Sequence, residues 1–189
     1  MREDLKKILK NTLVVFITVF VISILLAEMY QTLVVPIEKE RAAGETNYFA
    51  SVFPQASFEK KAISYQGKDV EYWETHENSQ IVGYVGKVNT VGASTAGANQ
   101  LIAYVALDTE MRVKEVIVPE DTLLETPGLG AKIAEEGFRS QFNNLTVDEI
   151  ALSSEGGKVD AITGATQSSI ALTEGVRFVV EALSQGVKA

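Results

Sequence analysis

A long uncharged stretch near the N-terminus limits most strongly what this chain can fold into. The segment Asn11–Ala27 carries no charge and is almost wholly apolar. A membrane-spanning helix needs roughly 17 to 25 predominantly apolar residues. A second largely apolar stretch follows Glu28, which places Glu28 at the lipid–water boundary and Tyr30 in the interfacial belt. We therefore predict a single transmembrane helix, with residues 1–37 forming the cytoplasmic N-terminus and the membrane anchor.

A cleaved signal peptide is the alternative interpretation of this stretch. Signal peptides end in a small-x-small cleavage pattern, and the residues Leu25–Met29 do not contain one. We therefore expect the anchor to be retained.

The charges that flank the span predict its orientation. The first basic residue after the span is Lys39, whereas four basic residues precede it, and basic residues favour the cytoplasmic side. The N-terminus is expected to be cytoplasmic and the remainder extracytoplasmic. The four preceding basic residues are Arg2, Lys6, Lys7 and Lys10.

Composition excludes several classes of function. The chain has 189 residues, enough for one domain of ordinary size with an appendage. Its net charge of −8 argues against a nucleic-acid partner. It has no Cys, so it cannot form a disulfide, hold an iron–sulfur cluster through thiolates, attach haem through Cys or carry a lipoprotein acyl group. Any redox cofactor must be held in another way.

The single histidine, His76, is expected to be an exposed turn residue because residues 74–78 are polar. One histidine argues against a His-rich metal site and against a Ser-His-Asp hydrolase.

Hydrophobic periodicity after the span predicts an α+β domain. Residues 38–60 are predicted to form a helical stalk, and residues 61–189 an antiparallel sheet with packed helices. A hairpin is predicted across residues 108–112. The predicted strands are Val70–Trp73, Ile81–Val88, Leu101–Leu107, Val113–Val118 and Val159–Ile162, and the predicted helices are Ala131–Phe142, with Ala134, Phe138 and Phe142 on one face, and Ser168–Gln185, with Leu172, Val176, Val179 and Leu183 facing inward.

The segment Val159–Ser169 runs from a predicted strand into the last helix through a turn of small residues. Gly164 permits a tight backbone turn, and Thr166 and Ser168 stand where the N–H groups of a helix start point outward. A phosphate would fit there. The alternative is that Thr166 or Ser168 merely caps the helix, as hydroxyl residues commonly do.

The segment Glu125–Lys132 predicts a rigid turn. Pro127 fixes one backbone dihedral and Gly128 allows the reversed one, which together suit a type II turn. Such a turn could let a planar ligand lie close to the backbone. The alternative is an ordinary start of the following helix.

Both segments resemble motifs of a known family. The run Asp160-x-x-Thr163-Gly164-Ala165-Thr166 resembles the flavinylation motif of FMN-binding domains, and the run at residues 125–130, Glu-Thr-Pro-Gly-Leu-Gly, resembles their second shared segment. With its single span and its length, the chain resembles the G subunits of Rnf electron-transport complexes. The C subunits of sodium-translocating NADH:quinone reductases have the same plan but are typically longer, and are the second choice.

The resemblance implies a cofactor and a role. Thr166 would be esterified to the phosphate of one FMN by a flavin transferase that uses FAD and a divalent metal, which makes the chain a flavoprotein and a phosphoprotein. Asp160 would be a recognition or activating residue. The implied FMN site comprises Thr166, Asp160, Thr163, Gly164, Ala165, Ser168 and Ser169 together with Glu125, Thr126, Pro127, Gly128, Leu129, Gly130 and Lys132.

The family also implies an assembly in a bacterial or archaeal cell membrane. The chain would pass electrons within a ferredoxin:NAD oxidoreductase that translocates Na⁺ or H⁺. Other membrane and iron–sulfur subunits, and membrane lipid, would be its partners. It would have no catalytic machinery of its own. The competing hypothesis is a cofactor-free, membrane-tethered binding domain.

Overall fold

The computed structural model describes residues 2–30, 32, 44–91, 100–120, 123 and 125–187. The chain divides into two compact units, Met1–Thr46 and Asn47–Ala189. The first contains helix α1, Arg2–Met29. Its segment Asn11–Met29 has 19 residues, and at 1.5 Å per residue it is about 28 Å long, close to the thickness of a bilayer core. The predicted apolar helix is confirmed.

The second unit is built on a five-stranded antiparallel sheet. The strands follow one another in chain order, so each pairs with the next, β1-β2-β3-β4-β5. This arrangement confirms the predicted antiparallel sheet. The strands are β1 Ser57–Tyr65, β2 Lys68–Glu77, β3 Gln80–Val91, β4 Gln100–Leu107 and β5 Val113–Ile117.

Strand β1 was missed by the sequence interpretation. It lies at the edge of the sheet, where all of its residues are exposed or half-buried, and its sequence shows no apolar run. Its first residues, 57–60, fall within the predicted stalk. Of the rest of that stalk, residues 38–43 lie outside the described residues, and residues 44–49 form a short helix, α2.

The predicted hairpin between β4 and β5 is confirmed. Asp108 Oδ1 accepts hydrogen bonds from the backbone N–H groups of Glu110 (2.8 Å) and Arg112 (2.9 Å). Met111 adopts a φ of +65°. The aspartate side chain therefore organises the turn, as Asx turns generally do.

The last helix, α4 (Thr166–Gly186), covers one face of the sheet. Its predicted inward residues, Leu172, Val176, Val179 and Leu183, are all buried in the main core with the apolar side chains of β3 and β4. A smaller core lies on the other face of the sheet. It is aromatic, with the Phe49 ring 5.0 Å from Trp73 and 5.1 Å from Tyr104.

The helix predicted over Ala131–Phe142 is interrupted. The chain forms a 3₁₀ turn at Gly130–Ala134, helix α3 at Glu136–Arg139 and a second 3₁₀ turn at Ser140–Phe142. Glu135 is extended, with ψ of 144°, and this breaks the helical hydrogen-bond pattern. The predicted apolar face is nevertheless buried, since Ala134, Phe138 and Phe142 all lie in the main core.

Two further predictions are wrong. The segment Val159–Ile162 is not a strand, because only Val159 forms a bridge, with Leu152, and Asp160 directs its backbone N–H to a side chain. His76 is not in a turn, because it lies within β2, paired with Ser57 on one side and with Ile81 on the other, and its side chain is mostly buried.

Candidate functional site

The start of α4 presents an exposed hydroxyl beside backbone donors. Thr166 is the first residue of the helix and is exposed. The first backbone hydrogen bond of the helix runs from Ser169 N–H to Ala165 O (3.0 Å). In the described part of the chain, the N–H groups of Thr166, Gln167 and Ser168 have no acceptor, and no hydrogen bond engages the Thr166 hydroxyl. Such a helix start favours an anion.

The alternative in which a hydroxyl merely caps this helix is wrong. The residue at the capping position is Ala165, and none of the described side chains caps the helix there. Thr166 is already helical, and Ser168 forms its hydrogen bond with Glu125.

Buried Ser169 shapes the turn that precedes Thr166. Its Oγ accepts a hydrogen bond from Ile162 N–H (3.0 Å) and donates one to Ala165 O (3.1 Å). Ala165 N–H also bonds to Ile162 O (2.9 Å), and Gly164 adopts a φ of +81°, which residues with a Cβ rarely adopt. The turn is therefore closed by its own residues.

Gln141 was missed by the sequence interpretation. Its Oε1 accepts a hydrogen bond from Asp160 N–H (2.7 Å), and its Nε2 lies 3.4 Å from Asp160 O as donor. One side-chain amide thus pairs with both backbone groups of the first motif residue, while the Asp160 side chain stays exposed. The two residues are 19 positions apart, and no local pattern could have linked them.

The second segment forms the predicted turn. Leu129 N–H bonds to Thr126 O (3.2 Å) across Pro127 and Gly128, and Gly128 has a φ of +75°, as the third residue of a type II turn requires. Thr126, Pro127, Gly128 and Leu129 are exposed, and Glu125 is half-buried. Lys132 follows in the 3₁₀ turn and is half-buried.

The fold brings the two segments together. Ser168 Oγ donates a hydrogen bond of 3.0 Å to Glu125 Oε2. A Cβ on Gly130 would clash with both of those oxygens, so a larger residue there would displace the Glu125 carboxylate or the Ser168 hydroxyl. Leu129 Cδ2 would lie 3.5 Å from a Cβ on Gly164. The turn at Glu125–Lys132 therefore lies against the start of α4.

The arrangement suits a ligand that combines a phosphate with an apolar ring system. The unengaged N–H groups beside Thr166 suit the phosphate. Leu129, 48 % exposed, offers apolar surface next to them. The residues present fit a phosphorylated flavin.

The chain is similar to known proteins. The FMN-binding domain family matches residues 98–181, which include both segments. The G subunit of the ion-translocating oxidoreductase complex of Methanosarcina acetivorans is 33 % identical over 188 residues, covering 96 % of this chain and 97 % of that one. The chain belongs to this G-subunit family.

A second member of the G-subunit family matches a shorter stretch. The G subunit of the proton-translocating ferredoxin:NAD(+) oxidoreductase complex of Clostridium ljungdahlii is 31 % identical over 114 residues, covering 59 % of this chain and 58 % of that one. The resemblance to Rnf G subunits inferred from the two motifs is thereby confirmed, as is the presence of an FMN-binding domain. The described residues contain one helix that is long and apolar enough to cross a membrane, so this member of the family is a single-pass membrane protein.

Proposed function

We propose that this chain is the electron-transfer subunit of an ion-translocating oxidoreductase complex and that it carries one FMN, joined through its phosphate to Thr166 Oγ. The observation that carries the proposal is the exposed Thr166 hydroxyl beside the unengaged N–H groups of the first turn of α4. Bound FMN supplies one-electron and two-electron transfer.

Attachment requires a flavin transferase with FAD as donor. A bond forms between Thr166 Oγ and the phosphorus of the FMN half, the pyrophosphate P–O bond of FAD breaks, AMP leaves and the hydroxyl proton passes to a base. The chain supplies the acceptor hydroxyl and N–H groups that stabilise the phosphate charge. Asp160, held by Gln141 with its side chain exposed, is suited to recognition by the transferase.

The turn at Glu125–Lys132 is proposed to border the isoalloxazine. Its contact with α4 through Glu125 and Ser168 supports this placement. Backbone donors and the Lys132 charge would favour the electron-rich reduced flavin. Thr126→Ala and Lys132→Ala are expected to leave Thr166 flavinylated while shifting the flavin potential in a redox titration. Unshifted potentials in both variants would remove this turn from the flavin site.

The assembly proposed for the chain follows from the names of its relatives. Residues 1–37 would anchor the chain, the stalk would end before β1 at Ser57, and the domain built on the five-stranded sheet would carry FMN outside the cytoplasm beside membrane and iron–sulfur subunits. The chain has no Cys to carry a lipoprotein acyl group. Covalent attachment of FMN suits the location, because a dissociable cofactor outside the cytoplasm is readily lost. A reporter fused after the C-terminus is expected to be active only outside. Activity of a cytoplasm-only reporter there would overturn the orientation.

Flavin fluorescence of the denatured protein tests the attachment. The full chain co-expressed with a flavin transferase is expected to fluoresce on a denaturing gel, Thr166→Ser to retain a hydroxyl acceptor, and Thr166→Ala to lose the signal. Thr109→Ala, an exposed threonine in the β4–β5 turn, is the matched control and should keep it. Absence of flavin fluorescence from the wild-type band, while the same transferase labels a second substrate, would contradict covalent attachment.

A further inference from the structure

Two carboxylates face each other across β1 and β2. Glu59 and Glu74 are direct partners in the strand register, and Glu74 is buried. Like charges placed opposite each other on neighbouring strands are destabilising. Lys61 compensates part of this charge, with its Nζ 2.7 Å from Glu74 Oε2 and 3.8 Å from Glu59 Oε2. One ammonium group thus faces two carboxylates.

His76 points its Nε2 atom at the same two oxygens. The atom lies 3.4 Å from Glu74 Oε2 and 3.7 Å from Glu59 Oε2. It is shielded from solvent and has no hydrogen-bond partner among the described residues. A buried polar atom without a partner is costly, so the position favours a species that would bind it.

The spacing of the three donor atoms matches that around one metal ion. Two ligands each about 2.0–2.1 Å from a tetrahedral zinc lie about 3.3–3.4 Å apart. The ligand atoms of Glu59, Glu74 and His76 all lie within 4.8 Å of one another. The distance of 3.4 Å from His76 Nε2 to Glu74 Oε2 equals the tetrahedral value, and the distance of 3.7 Å to Glu59 Oε2 is slightly longer. We infer that these three residues form a divalent-cation site, whose imidazole and carboxylate donors suit zinc, with water as the fourth ligand.

Lys61 is the competitor for this site. Its ammonium group takes the same Glu74 oxygen that faces His76. The Lys61 side chain is 37 % exposed and flexible, so it can turn towards solvent when a cation binds. Zinc binding therefore displaces the ion pairs of Lys61 with Glu74 and Glu59, and removing the Lys61 charge should strengthen zinc binding.

The site is separate from the flavin motifs. The C-terminal end of α4 lies over β1, where a Cβ on Gly186 would contact Ile63, two residues beyond Lys61, whereas Thr166 begins the helix 20 residues earlier. A bound cation would join edge strand β1 to β2. Its predicted effect is on the stability of the sheet, and it does not depend on flavin attachment.

Zinc titration of the full chain, purified in detergent and stripped with EDTA, tests the inference. Calorimetry is expected to show one zinc bound per chain. His76→Gln and Glu59→Gln should weaken binding by more than about tenfold, and Lys61→Met should strengthen it. Glu71→Gln is the matched control, because Glu71 pairs with Lys60 and Lys87 outside the cluster, and should bind as the wild type does.

A second readout separates binding from misfolding. Zinc is expected to raise the melting temperature of the wild type and of Glu71→Gln, but not that of His76→Gln. Absence of saturable binding by the wild type, or equal binding by the wild type and His76→Gln, would overturn the site. Either result would leave flavin fluorescence at Thr166 unchanged, so this failure is distinct from failure of the proposed function.

Discussion

Ser168 Oγ and Glu125 Oε2 are joined by a hydrogen bond of 3.0 Å across 43 positions of the chain. Ser168 is 2 % exposed and belongs to the first turn of α4, and Glu125 begins the Pro-Gly turn. The bond joins one side chain of the segment at the start of α4 to one side chain of the Glu125–Lys132 segment. Through this contact, a substitution in one segment is expected to affect the other segment.

Ser168→Ala is expected to lower the free energy of unfolding by about 1–3 kcal/mol, because it removes a buried hydroxyl that donates to a carboxylate. The flavin potential is also expected to shift, since the turn loses its attachment to α4. Urea denaturation and redox titration measure the two effects. Gln167→Ala, at the exposed neighbouring position, is the control and should stay within about 0.5 kcal/mol. Equal stability of both variants would show that the bond contributes nothing.

Gly130→Ala is expected to destabilise the domain by about 1–3 kcal/mol, because the added methyl group would clash with Glu125 and Ser168. Gly137→Ala is the matched control. Nothing lies within 4 Å of a Cβ on Gly137, which is exposed in α3, so this substitution should stabilise by about 0.5–1 kcal/mol. Thermal unfolding compares the two. A neutral Gly130→Ala would contradict the tight approach of the segments.

Gln141→Ala is expected to slow flavinylation at limiting transferase while costing only about 1 kcal/mol of stability. The substitution removes both hydrogen bonds to the backbone of Asp160, so the motif loses its fixed conformation. The initial rate of flavin incorporation is the measurement, with Gln80→Ala, an exposed glutamine in β3, as control. If Gln141→Ala is labelled at the wild-type rate, Gln141 does not position the motif.

Glu149 is expected to contribute to acid sensitivity. Hydrogen bonds from Lys158 and from the backbone and hydroxyl of Thr146 lower the pKa of Glu149 from 4.5 to about 2. Because the folded-state pKa is depressed, its contribution is full above about pH 4.5 and is lost as the pH falls towards 2.

Glu149→Gln tests this pH dependence. Its stability deficit relative to the wild type should be present at pH 6 and should shrink as the pH falls below 4.5 towards 2, as measured by denaturation at each pH. Asp148→Asn, at the adjacent position, is the control. A deficit that stays constant with pH would contradict the assignment.

The sequence predicted the elements with strong local patterns. The apolar span, strands β2 to β5, the Asp108 hairpin and the inward face of α4 all follow from periodicity or turn chemistry, and the structure confirms them. Strand β1 could not be recognised, because an edge strand with charged side chains on its exposed positions lacks an apolar run. The prediction of a continuous helix over residues 131–142 was wrong for a different reason. Burial of Phe138 and Phe142 accounts for their apolar spacing, and this burial does not require a continuous helix.

The candidate site could also be predicted only in part from the sequence. The turn at Pro127 and Gly128 was predictable from its residues, and the motif ending in Thr166 from its resemblance. The contacts of Gln141 with Asp160 and of Glu125 with Ser168 depend on how distant segments pack, so single positions gave no signal. His76 was misassigned because its polar neighbours resemble a turn, whereas alternate positions of β2 place it beside Glu74.

Covalent attachment of FMN to Thr166 is tested most directly by peptide mass spectrometry of the full chain from cells that contain the flavin transferase. We expect the peptide containing Thr166 to carry the mass of FMN joined through a phosphoester, and fragmentation to locate this mass on Thr166. An unmodified Thr166 peptide as the only detectable form, in cells whose transferase modifies another substrate, would contradict it.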